Sequence, residues 1–380
     1  MRVAHVIKAT GIAGAERHLL MLLSGLRARD VDAQIVLLVE PRRPMDSLVE
    51  EAALRGIPVG RIAIRHHLDA ALFGKLRTAF RDMQPDIVHT HLLHADLFGI
   101  PAARAARVPA IITSRHNDNA FRRRWPMRWL NRALWSQVDA GITSSDAVRR
   151  FCATVEGAPP KKLQTIYYGL ERSPDDALRQ TDRAALRAEL AIPADAPVVG
   201  MVCRLVEQKG VAYGLEAFAS AAADAPDARL VIAGDGALKS RLQAQARTLG
   251  VADRVHFLGW RTDALRVFAG LDIFLMPSLW EGFGLVLLEA MSQRLPIVAS
   301  DVSAIPEVVA DGTTGLLVPP RDVPRLAAAL RLLLTDAPLR QHMGLLGEDR
   351  LEERFTAGRM VDETLTLYQA VLARRGRANQ

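Results

Sequence analysis

Val198-Val199-Gly200-Met201-Val202 runs directly into Cys203-Arg204-Leu205-Val206-Glu207-Gln208-Lys209-Gly210, and then into the amphipathic stretch Gly210–Ala222. A five-residue apolar run bounded by a polar loop has the length of a buried strand, and the stretch after it has helical spacing. Strand, short loop and helix form the unit of a parallel sheet, because parallel neighbours need a crossover connection. The unit recurs downstream, where Leu230–Ile232, Arg254–Leu258, Ile273–Met276, Pro296–Ala299 and Gly315–Val318 are further strand-like runs. Upstream, Val3–Ile7, Gln34–Val39, Asp86–His89, Ala110–Thr113 and Ala140–Thr143 repeat the scheme. Between the first two of these lies Ala15–Leu26, with an apolar stripe of Leu19, Leu20, Leu22, Leu23 and Leu26. Two such blocks predict an α/β protein of two parallel-sheet domains with helices on both faces. Turn chemistry from Tyr167-Tyr168-Gly169-Leu170 to Pro174-Asp175-Asp176 marks the boundary. The expected domains are residues 1–170 and 171–360, followed by a C-terminal helix and basic tail over 361–380.

A chain of 380 residues suits two domains of ordinary size. Hydrophobic residues at 49% and charged residues at 24% exclude disorder as the dominant state. No apolar run approaches the roughly 18 residues of a spanning helix. Met1 to Lys8 reads as a first strand rather than a signal peptide, since His5 and Lys8 break it. Only Cys152 and Cys203 are present, so a disulfide framework and a cysteine zinc site are excluded, and a reducing cytosol fits. The net charge of +7 is uneven: residues 1–180 carry 27 Lys and Arg against 18 Asp and Glu, and the rest 22 against 24. A basic first half suits an anionic partner, whether nucleic acid, a lipid surface or a phosphorylated acceptor. Arginine as the ordinary solubilising cation suits it equally.

Open parallel sheets bind ligands outside the carboxyl ends of their strands. Arg204 and Lys209, at a strand end and a helix start, have the chemistry to grip a diphosphate. After Ile273–Met276 comes Pro277-Ser278-Leu279-Trp280-Glu281-Gly282-Phe283-Gly284-Leu285, with Glu289 further on. Gly282 and Gly284 let backbone approach a ligand, and the helix start offers N–H groups to an anion. A carboxylate at Glu281 suits uncharged sugar hydroxyls. Counted along a helix, Glu289 lies a little over two turns on and projects to the same side. In the first half, Thr10 to Glu16 is a small-residue loop containing Gly14, and His89-Thr90-His91, His94 and Ser114-Arg115-His116 follow strands. The histidines invite a zinc reading, but no Cys or Glu-x-x-His completes a ligand set. For His91 and His94, packing or capping competes evenly with function.

Taken together, Arg204–Gly210, Pro277-Ser278, Glu281-Gly282-Phe283-Gly284, Glu289-Ala290, Pro306-Glu307-Val308-Val309 and Asp311-Gly312-x-x-Gly315 resemble the retaining glycosyltransferases of family 4. The resemblance spans nearly the whole chain, and the E-x7-E pair Glu281 and Glu289 is its most specific element. It implies the GT-B fold, two Rossmann-like domains facing each other across a cleft. It implies that Arg204 and Lys209 hold the donor diphosphate, that Glu281 touches the donor sugar and that Glu289 binds the ribose. Gly282, Phe283, Gly284 and Leu285 complete the donor loop, Gly14 faces the diphosphate, and His116 matches the family's catalytic histidine. The glycines often found at Asp301–Ile305 are missing.

The expected activity is transfer of a sugar, with retention, from a nucleotide-diphosphate sugar to a saccharide or lipid-linked acceptor, in cell-surface polysaccharide or glycolipid assembly. The rivals are a nucleotide-sugar epimerase and a non-catalytic nucleotide-sugar binding protein, both disfavoured by Glu281 and Glu289 occurring with Arg204 and Lys209. No Asp-x-Asp ends a strand of the second domain, so no metal and no cofactor are expected. Nothing resembles a nucleic-acid-binding module. The expected location is cytoplasmic, peripheral at the inner membrane face. Phe121-Arg122-Arg123-Arg124-Trp125-Pro126-Met127-Arg128-Trp129 reads either as an interfacial patch or as core tryptophans beside solvated arginines.

Overall fold

In the computed structural model, which describes residues 1–65, 69–171 and 173–378, two units separate. One is Met1–Glu171 joined by Thr356–Gln380; the other is Arg172–Phe355. The first unit holds β1 (Arg2–Lys8), β2 (Asp32–Val39), β3 (Val59–Ala63), β4 (Ile87–His91), β5 (Ala110–Arg115), β6 (Ala140–Thr143) and β7 (Leu163–Thr165). They form one sheet in the order β3-β2-β1-β4-β5-β6-β7, with every pairing parallel. β4 and β5 are buried along their whole length, as befits central strands covered on both faces. The pattern of apolar runs leaves out β3 and β7, and these are the two edges of the sheet. Neither has a fully buried residue; an edge strand needs no continuous apolar run.

The sheet core collects Val6, Val36, Leu38, Phe80, Val88, Ile111 and Trp135. Helix Gly14–Arg27 buries the expected leucine stripe. At the end of β5 a buried ionic network replaces apolar packing. The Arg115 guanidinium donates to Asp96 at 2.6 Å and to Glu156 at 2.9 Å, and Trp135 donates to Glu156 at 3.0 Å. Burial pushes the Glu156 carboxyl up, but Arg115 and Arg122 outweigh it and hold it below its usual range.

The terminal helix runs Ala357–Ala378, four residues earlier than the expected start at 361, and belongs to the first unit rather than standing apart. Val361 packs on Gly25, Arg29 donates to Asp362 at 2.6 Å, Tyr368 is fully buried, and Ala357 N–H donates to the Leu170 carbonyl at 2.8 Å. Asn379 and Gln380, the end of the expected tail, lie outside the described residues.

The second unit contains β8 (Val198–Val202), β9 (Arg229–Ala233), β10 (Val255–Gly259), β11 (Ile273–Met276), β12 (Ile297–Ser300) and β13 (Gly315–Val318). Their order is β10-β9-β8-β11-β12-β13, again parallel throughout. Each corresponds to a run read from the sequence. Leu215, Phe218, Leu230, Ile232, Ile273, Leu275 and Leu330 fill the core. In both sheets the strand order reverses beside the first strand, between β1 and β4 and between β8 and β11. Such switch points open a crevice at the carboxyl ends of the strands.

Candidate active site

The loops after β8 and β11 flank the second unit's switch point and are stitched together. Leu205 N–H donates to the Asp235 carbonyl at 2.9 Å and Leu238 N–H to the Leu205 carbonyl at 3.1 Å, pinning the Arg204 loop from one side. On the other side Leu279 N–H donates to the Gln208 carbonyl at 2.8 Å, and the Gln208 amide to the Trp280 carbonyl at 3.1 Å. Gly210 makes this approach possible. Its φ is +60°, and a Cβ there would sit 1.9 Å from the Pro277 carbonyl oxygen.

The stitching brings Lys209 onto Glu281: the Lys209 ammonium donates to the Glu281 carboxylate, with side chains 13% and 9% exposed. Sequence reasoning placed both in one site but not as partners. Arg204, on the same loop, is exposed, and among the described residues no carboxylate pairs with it. Phe283 is buried edge-on to Phe355 at 5.9 Å, and Leu285 is buried too. Their side chains belong to the core, so what this run offers a ligand is backbone. Gly284, with φ +87°, caps helix Leu285–Ser292 in the left-handed conformation that glycine tolerates. Because that helix begins at Leu285, the helical count from Glu281 does not apply. Glu281 sits in the loop, and Glu289 lies on the helix, buried.

In the first unit Gly14 opens helix Gly14–Arg27, and Ala13 N–H donates to Glu16 at 3.0 Å in the first turn. A Cβ on Gly14 meets nothing within 4 Å, so the fold does not demand glycine there. His116 follows β5 and is buried. His91, Ser114 and Arg115, read as loop residues, lie inside β4 and β5, because buried polar side chains extend these strands where an apolar pattern stops. His116 Nε2 lies 3.1 Å from His91 Nδ1, and His116 Nδ1 lies 2.5 Å from the Tyr168 hydroxyl. His91 Nε2 lies 3.0 Å from His5 Nδ1. Burial brings His5 down to about 3; burial and the charge of Arg115 do the same to His116. Burial likewise holds His89 and His91 well below the usual histidine range.

Ring nitrogens of His5, His89 and His91 lie within 4.8 Å of one another, near enough to consider a metal. They are, however, engaged with each other and with Tyr368 and Ser114. His94 lies apart, its ring 6.1 Å from that of Phe98. Sequence reasoning missed His5, Tyr168 and Tyr368. His5 is opposite His89 in the β1–β4 register, which a period-2 reading of both strands could have suggested. Tyr368 arrives from 279 residues away, and no local signal announces it.

Helix Trp125–Gln137 leaves Trp125 and Trp129 74% and 65% exposed, so they are not core residues. Arg123, Arg124, Arg128 and Arg132 are exposed around them. Arg122, grouped with these in the sequence reading, is buried 3.0 Å from Glu156.

Residues 12–173 match the family model described as Glycosyltransferase Family 4, and residues 182–349 that of Glycosyl transferases group 1. Alpha-maltose-1-phosphate synthase of Mycolicibacterium smegmatis is 32% identical over 76% of this chain and 79% of its own length. Alpha-D-kanosaminyltransferase of Streptomyces kanamyceticus is 29% identical over 64% of each. Among solved structures, Anabaena HepE in complex with UDP and glucose superposes with a TM-score of 0.86 at 21% identity, covering 97% of this chain and 100% of that one. The chain belongs to the family 4 glycosyltransferases, and its two parallel sheets are those of the GT-B fold.

The neutral histidines make stability depend on pH. His5 and His116 titrate near 6.5 when unfolded and near 3 when folded, so the unfolded chain binds more protons below 6.5. Their contribution is full above that value and is lost as pH falls toward 3. The urea midpoint should therefore drop between about pH 7.5 and about pH 5. A flat midpoint across that window would contradict neutral burial.

Proposed function

We propose that this glycosyltransferase moves a sugar from a nucleoside-diphosphate donor to an acceptor hydroxyl with retention, and without a metal. The observation that carries the reading is the paired Lys209 and Glu281 beside an exposed, uncompensated Arg204, at the switch point of the second sheet. As the bond between the sugar's anomeric carbon and the diphosphate breaks, negative charge gathers on the leaving oxygens. Arg204, the remaining donors of Lys209 and the N–H groups at Leu285 supply positive potential there. The sugar passes through an oxocarbenium-like state. The acceptor oxygen bonds the anomeric carbon on the face the diphosphate leaves, and its proton goes to the departing phosphate oxygen. Glu281 faces sugar hydroxyls, Glu289 binds ribose, and Gly14 and His116 act from the first unit. One relative named for an alpha-configured product and another named for an alpha-configured transferred group support an α-linked product here, which is retention if the donor is α-linked. The UDP bound by HepE supports a nucleotide donor.

We also propose that the acceptor is lipid-linked or otherwise phosphorylated, met at an anionic membrane surface in polysaccharide or glycolipid assembly. Trp125 and Trp129, four apart on one exposed helix face amid arginines, suit the headgroup region. Each arginine near such a surface contributes about 1 kcal/mol before screening. No helix among the described residues is long and apolar enough to cross a membrane.

Arg204→Ala should lower kcat/KM by two to three orders of magnitude, about 3–4 kcal/mol, with the urea midpoint unchanged. Lys209→Ala should lower both, because it leaves Glu281 buried without its cation. Wild-type kcat/KM in Arg204→Ala, with a turned-over acceptor, sinks the diphosphate assignment. In sedimentation assays the protein should pellet with anionic vesicles, less so at moderate salt, and Trp125→Ala with Trp129→Ala should release it. Equal recovery with neutral and anionic vesicles contradicts the membrane reading alone.

A further inference from the structure

Behind His116 lies a file of hydrogen-bonding groups that the reaction described above does not use. Starting at Tyr168, it runs through His116 at 2.5 Å, His91 at 3.1 Å and His5 at 3.0 Å. From His5 Nε2 it reaches the Tyr368 hydroxyl at 3.4 Å, then His89 Nδ1 at 2.6 Å, and from His89 Nε2 the Ser114 hydroxyl at 2.8 Å. The four imidazoles are buried, and burial favours their neutral forms. The His5, His91 and His116 rings lie nearly parallel, 15° apart at the first step and 17° at the second.

A neutral imidazole donates from one nitrogen and accepts at the other. This makes the file indivisible. If His91 donates from Nδ1 to His116, His5 must donate from Nδ1 to His91. Tyr368 then donates to His5 and accepts from Nδ1 of His89, and His116 donates from Nδ1 to Tyr168. In the opposite arrangement every proton reverses, and all four histidines carry it on Nε2. Any mixture of the two leaves either two donors or two acceptors facing each other between the rings or, at Tyr368, a hydroxyl proton or a ring lone pair without a partner, and each such buried group costs its desolvation.

We propose that His91, His5, Tyr368 and His89 are positioning residues that set which ring nitrogen of His116 bears its proton, and that the four histidines therefore share one tautomer. The return of the chain as helix Ala357–Ala378 is what delivers Tyr368, the hydroxyl through which the two halves of the file communicate. The proposal rests on the reading of His116 as a residue of the transfer site, but the file itself does not.

The test is nitrogen NMR of histidine-labelled full-length protein, alone and as Tyr368→Phe. In the unsubstituted protein His5, His89, His91 and His116 should all be protonated at the same ring nitrogen. In Tyr368→Phe two nitrogens face a phenyl ring, and a buried lone pair there is cheaper than a buried N–H. His5, His91 and His116 should then carry Nδ1–H and His89 should carry Nε2–H. Mixed tautomers before substitution, or His89 still matching the other three after it, overturn the file; the first of these stands even if the variant does not fold. The kcat at saturating donor should fall in Tyr368→Phe only if the His116 tautomer changes. A changed tautomer with unchanged kcat contradicts the role of His116 in transfer and leaves the file standing; a changed kcat with an unchanged tautomer overturns the positioning role.

Discussion

Lys209 reaches from the loop after β8 to the carboxylate of Glu281 in the loop after β11, and both side chains are largely out of water. Two charges so placed are tolerable only together, since either alone would be buried uncompensated. The pair therefore fixes the separation of two loops whose strands are neighbours in the sheet, and Gly210 is what lets the backbones come close enough for it. The helix start at Leu285 and the buried Glu289 follow from the second of these loops; Arg204 follows from the first. Because Glu281 neutralises Lys209, the site's surplus positive charge rests on Arg204.

The first unit solves a related problem with the opposite device. Its switch point is crowded with titratable rings, yet burial strips them of charge, and they are satisfied by donating to and accepting from one another. The buried charge of Arg115 is answered by Asp96 and Glu156. One switch point thus presents charge, and the other presents buried hydrogen-bonding groups that burial keeps from carrying charge.

How much of this the sequence disclosed follows burial. The six strands of the second sheet are short apolar runs and were legible as such. In the first sheet β3 and β7 were not, since Val59-Gly60-Arg61-Ile62-Ala63 and Leu163-Gln164-Thr165 form its edges, where solvent asks for no pattern. Arg204, Lys209, Glu281 and Glu289 were legible as loop and helix chemistry, aided by resemblance; the contact between Lys209 and Glu281 was not, because it depends on strand order. His116 was visible, whereas His5 and Tyr368 were hidden. A histidine in β1 looks like an interruption of the strand until its register with His89 is known, and Tyr368 comes from a helix that sequence order places after the second unit. Trp125 and Trp129 were ambiguous for the same reason: helical spacing puts them on one face without saying which way that face looks.

The central claim is that the second unit's switch point holds a diphosphate through Arg204. Calorimetric titration of nucleoside diphosphates and the matching monophosphates into the full chain and into Arg204→Ala tests it most directly. At least one diphosphate should bind more tightly than its monophosphate, and the substitution should erase most of that difference while leaving monophosphate affinity nearly unchanged. Equal affinity for the two phosphate forms, or a preference that persists in Arg204→Ala, would contradict the account.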